Sequence, residues 1–79
     1  MNMLNKKSKK EIKDLINTIE YCYSYLATLE PMQDRLYKHK EKYYPDKWVE
    51  LELDVTMKIA ETRNLLSNTH NRLRELGVY

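Results

Sequence analysis

Apolar residues recur at steps of three and four through the first half of the chain: Ile12, Leu15, Ile19, Cys22, Leu26 and Leu29, with Leu36 and Tyr43 in the same phase. Only a helix, at 3.6 residues per turn, places all of them on one side. Gln33 and Lys40 occupy two upper rungs, so the seam becomes mixed in polarity there without losing phase. Ile16, Tyr23, Tyr37 and Tyr44 each follow an inner position, which predicts a buried stripe wide enough for a bundle rather than a narrow two-residue seam.

Ser8 followed by Glu11 fits a capping box and predicts the helix start. Residues 1–7 precede it with little to pack against and are expected to form a disordered basic arm. Pro31 lacks an N–H and presses on the preceding turn. Because the ladder holds its phase across Pro31, a kinked helix over about 8–43 is preferred to a break near 28–31. Tyr44-Pro45-Asp46 is a firmer stop, since the residue before a proline avoids the helical region and Asp46 suits a cap.

The last segment repeats the pattern with Trp48, Leu51, Val55, Ile59, Leu66, Leu73 and Leu76, polar Thr62 and Thr69 filling two rungs. Arg72 and Arg74 near its end complement the helix dipole. Gly77 is placed to stop it in a left-handed cap, with Val78 folding back toward Leu73. A helix over about 46–76 follows. Within it, Val49, Leu51, Leu53, Val55, Met57 and Ile59 alternate with polar residues, which is a strand pattern. A lone strand would need a partner and no hairpin turn flanks it, so helix is preferred. On a helix, Val49, Leu53 and Met57 form a second apolar stripe away from the seam.

The expected fold is therefore all-α: one helical domain over 8–79, an antiparallel hairpin with a kink near Pro31. A 79-residue chain buries roughly 60–65% of its surface. A single cysteine makes no internal bridge, and His39 and His70 are too far apart in sequence to suggest zinc. Packing as a helical bundle in a homo-oligomer, with a dimer favoured, is the remaining route to stability.

Net charge is +2 from 14 basic and 12 acidic residues, too balanced to imply strong whole-molecule attraction to nucleic acid or membrane. Residues 1–44 carry nine basic and six acidic residues, and residues 45–79 five and six. No apolar run reaches the roughly 20 residues of a spanning helix, which implies no membrane partner and a cytoplasmic location. Abundant Lys, Asn, Ile and Tyr point toward an A/T-rich genome, such as that of a phage or mobile element.

Two surfaces stand out. Arg35, Lys38, His39 and Lys42 recur at helical spacing and are suited to successive phosphates, with Tyr43, Tyr44 and Trp48 as stacking partners for bases. The plainer reading, which we favour, is a solvated basic face with Asp34 and Lys38 paired and aromatics plugging the bundle end. Tyr21 and Tyr25 flank the seam beside Cys22 and Tyr23, which are expected on the buried side. With Val49, Leu53 and Met57, these two tyrosines are the candidate partner or oligomer interface.

Catalytic, cofactor and metal residues are not indicated: the only glycine is a helix stop, no Glu-x-x-His occurs, and nothing near Cys22 in sequence would activate its thiol. His70 reads as a boundary residue. The sequence thus points to a small non-enzymatic helical module that self-associates and binds or inhibits a larger protein. A nucleic-acid-binding helical dimer and an oligomer that sequesters a nucleotide are the alternatives.

Overall fold

A computed structural model describes residues 6–79: helix α1 over Lys6–Lys38, a 3-10 turn over Lys40–Lys42, and helix α2 over Pro45–Glu75. The two helices lie antiparallel in a rod of 61 × 17 × 15 Å. No strand occurs among the described residues, and 49–59 is helical throughout.

Pro31 lies inside α1, which continues through it without a break. The proline removes the donor that would serve the Ala27 carbonyl. Ala27, Glu30, Pro31 and Asp34 are all exposed, so water can serve that carbonyl instead. The helix also runs through Ser8, which sets aside the expected start at a Ser8–Glu11 capping box. Of the expected arm over 1–7, residues 1–5 lie outside the described residues, whereas Lys6 and Lys7 belong to α1.

The ladder overestimates the far end of α1, which stops at Lys38 rather than near residue 43. The chain must reverse before Pro45, and the tighter 3-10 winding does so. The Lys42 N–H donates to the His39 carbonyl at 2.9 Å and the Tyr43 N–H to the Lys40 carbonyl at 3.2 Å. Tyr43 is then extended, as is Tyr44 at φ −64°, ψ 142°, the region the following proline enforces. Tyr44 is the N-cap of α2 and Pro45 its first residue, where a missing N–H costs nothing. Asp46 is therefore the second residue of the helix rather than its cap. Its carboxylate still accepts the Lys47 N–H at 3.0 Å.

At the other end the expected stop is present. Gly77 has φ +80°, the Gly77 N–H donates to the Arg74 carbonyl and the Val78 N–H to the Leu73 carbonyl, each at 3.0 Å. This pair of bonds is a Schellman motif.

The core is one strip between the helices. Nearest the turn, Leu26, Leu29 and Leu36 of α1 meet Trp48, Val55 and Ile59 of α2, with Tyr25, Leu51 and Leu66 packed against them. Cys22 and Leu73 are fully buried further along, beside Thr62 and Thr69. Both threonine hydroxyls donate to the carbonyl four residues back at 2.7 Å, which is how polar side chains occupy buried rungs. Toward the open end Ile12, Leu15 and Ile19 are only half-buried.

Four expected members of a wide buried stripe are instead exposed: Ile16 by 42%, Tyr23 by 56%, Tyr37 by 55% and Tyr44 by 83%. A hairpin gives α1 a single neighbour, and one neighbour covers a narrower arc than a bundle does. The sequence pattern is wider than the contact this one chain supplies.

Candidate functional site

Interhelix polar contacts on one flank fix the register of the hairpin. Arg63 Nη2 donates to Glu30 Oε2 at 2.7 Å. Gln33 donates to the Thr56 hydroxyl at 3.2 Å, which donates to Glu52 at 2.8 Å, and Tyr37 Oη donates to the same carboxylate oxygen at 3.0 Å. The Glu52 carboxylate raises the Tyr37 pKa, because its hydrogen bond favours the protonated phenol. At the open end Arg72 bridges Glu11, at 2.7 and 3.2 Å, and Glu75, at 3.1 Å. The Glu11 hydrogen bonds, then those to Glu75, push the guanidinium pKa further up. Asp54, 2.9 Å from Lys58, holds that ammonium above its usual range.

The end of α1 at Lys38 distributes the expected phosphate-binding residues differently from a continuous helical face. Arg35 and Lys38 are in the last turn of α1, whereas His39 is the cap before the 3-10 turn and Lys42 its last residue, so the four do not share one helical row. Lys38 lies 3.5 Å from Asp34.

Trp48, expected as a stacking platform, is 8% exposed and belongs to the core. Its indole N–H donates to the Leu36 carbonyl at 2.7 Å, Tyr37 meets it edge-on at 5.4 Å, and Lys40 Nζ sits 4.4 Å from the ring centre. A large aromatic with a single donor gains most by burying its ring and satisfying that donor at a helix end. Tyr43 borders a groove of ≈ 200 Å³ with Met32, Leu51 and Val55, between Arg35 and Asp54 on its rims. That volume is below the roughly 300–1,000 Å³ of small-molecule sites. Tyr44 projects into solvent.

The expected interface residues lie on two different sides. On α2, Val49, Leu53 and Met57 are 48%, 54% and 60% exposed. Their four-residue spacing lines them up on the outer side of the helix, roughly opposite Val55 and Ile59. On α1, the rings of Tyr21 and Tyr25 stack at 5.7 Å and 27°. With Lys58, Glu61, Thr62 and Leu65 they border a shallow groove between the helices. Tyr25 leans on the core, while Tyr23, expected to be buried, points to the opposite side of α1.

Leu65 is a member of this surface that the ladder did not single out. It directly precedes Leu66, which packs against the core, and the roughly 100° step between adjacent helical residues carries it out to the edge of the contact.

Among the described residues, no group of three His, Cys, Asp or Glu side chains is placed to hold a metal ion, and no helix is long and apolar enough to cross a membrane. Cys22 is a free, buried thiol. His70 Nδ1 lies 2.7 Å from Tyr79 Oη, tying the end of the chain back onto α2. In comparisons with known proteins, the chain matches no family model, no curated protein and no solved structure.

Proposed function

We propose that this protein is a small, non-enzymatic interaction module of the cytoplasm that self-associates and docks on a larger protein, inhibiting or scaffolding it. The observation that carries the reading is the outer stripe Val49, Leu53 and Met57. Three apolar side chains about half exposed, in one row, on the face turned away from the hairpin's own core, take no part in the buried strip between the helices. An amphipathic helix that enters a groove presents anchors at this spacing.

The surroundings specify the partner's chemistry. Residues 46–61 carry five acids, Asp46, Glu50, Glu52, Asp54 and Glu61, against two lysines. An apolar groove edged by basic side chains complements that surface. Surplus surface supports self-association: the chain exposes 6204 Å², against about 5,100 Å² expected of a compact 9.6 kDa monomer.

The test places a photo-crosslinking amino acid at Leu53 in cells that produce the protein. The reading expects a discrete adduct with a larger protein, abolished when Val49→Ser and Met57→Ser are added while helical content stays unchanged. Adducts only between copies of the chain, or none, would refute docking through this stripe.

A further inference from the structure

The hairpin brings distant parts of the chain together so that charge is unevenly distributed along the rod. The open half, residues 8–19 with 62–79, holds six basic and three acidic residues, a net +3. The half nearest the turn, residues 20–61, holds six basic and nine acidic residues, a net −3. Their centres are separated by roughly half of the 61 Å length, well beyond the screening distance of about 8 Å at physiological salt. The two poles therefore do not cancel within one molecule.

The tyrosine side has its apolar centre at the middle of this rod. Tyr21 and Tyr25 occupy the centre of α1, and Leu65, 43% exposed, faces the same groove from α2. We propose that a second copy packs antiparallel on this side, with the two-fold axis near Tyr21, Tyr25 and Leu65, so that each positive end lies along the other copy's negative half. The proposal rests on the self-association in the functional reading and fixes its face and direction.

A parallel pair would set +3 against +3, whereas the antiparallel one matches opposite poles along the whole length. One side of the rod measures 61 × 17 Å, about 1,000 Å² in projection, compared with about 800 Å² per partner in a stable interface. Tyrosine supplies large contact area at little entropic cost, and a central aromatic cluster is where binding energy concentrates.

Amine-reactive cross-linking of the full chain, combined with measurement of its mass in solution, tests this. Lys10 and Lys38 lie on one helix, about 42 Å apart by the 1.5 Å rise, so a short-spacer reagent cannot join them within one copy. An antiparallel dimer brings them close across the interface, and a Lys10–Lys38 link in dimeric material is the expected result. A dimer that yields only same-end links, such as Lys10 to Lys10, overturns the proposed direction while leaving self-association intact. A monomer at every concentration overturns both.

The exposed residues allow a check that does not endanger folding. Tyr21→Ser with Leu65→Ser is expected to weaken the dimer about tenfold or more with unchanged helicity. Tyr23→Ser, on the other side of α1, should alter it less than twofold. The reverse ranking would place the interface on the wrong side.

Discussion

The end of the rod nearest the turn is held by Trp48, and its replacement gives a stability change that can be worked out in advance. The ring closes the turn-proximal end of the buried strip that continues through Leu36, Leu29, Leu26, Val55 and Ile59, and its N–H occupies the Leu36 carbonyl, one of the last four acceptors of α1. Trp48→Phe keeps a ring in the cluster but leaves that carbonyl without its donor, at a cost of about 1–3 kcal/mol. Trp48→Ala also empties the cluster, for a total of about 3–5 kcal/mol. A chain of this length has roughly 4–12 kcal/mol of stability in all, so the alanine variant should lose a large share of its folded population. Urea denaturation followed by far-UV circular dichroism reads both, because the only tryptophan is the residue being removed. Protein concentration must be held constant, since association would add to apparent stability. A Phe variant within about 0.5 kcal/mol of the parent would refute the indole–carbonyl contribution. An Ala variant equally neutral would refute the cluster as the core.

Three further outcomes follow from the same geometry. Tyr37, held above its ordinary pKa by Glu52, should be among the last tyrosines to ionise in an ultraviolet titration; the stability it contributes is complete below the unfolded pKa of about 10 and lost as pH rises through the higher folded value, and Tyr37→Phe should remove that part of the alkaline transition. Gly77→Ala meets no atom within 4 Å, so its effect comes from the φ of +80° alone: a cost of about 1–2 kcal/mol if the motif persists, or otherwise faster hydrogen exchange of the Val78 amide as the last turn opens. Thr62→Val and Thr69→Val remove hydroxyls that bond only to the preceding turn of their own helix, so melting should show each variant within about 0.5 kcal/mol of the parent or more stable; a loss of about 2 kcal/mol would mean those hydroxyls satisfy something else.

The core was legible because helical periodicity is a one-dimensional signal. Cys22, Leu26, Leu29 and Leu36 could be placed from spacing alone, and Trp48, Val55, Ile59 and Leu73 likewise. The alternation over 49–59 misleads because two apolar rows, one buried and one outward, interleave on the same helix and imitate a period of two. Tyr23 and Tyr37 are exposed against the pattern for a related reason: adjacency to a seam residue says which arc a side chain occupies but not how many neighbours cover it.

The turn lay beyond the pattern altogether. Whether residues 39–43 continue a helix depends on where the returning chain must begin, and Pro45 fixes that more strongly than the phase of Tyr43 does. The bonds made by Trp48 and Arg72 likewise join positions 12 and 61 residues apart, which no local spacing reveals. The candidate surfaces were legible as residue types, whereas their separation onto two sides, the part played by Leu65 and the polarity of charge along the rod emerge only when the ends of the chain meet.

Small-angle X-ray scattering reports mass and length in one experiment, and so bears most directly on a hairpin whose uncovered apolar side is closed by a second copy. The account predicts twice the 9.6 kDa chain mass in a particle whose long dimension stays near the 61 Å of one rod. The mass of a single chain at every concentration, or a dimer close to double that length, would contradict it.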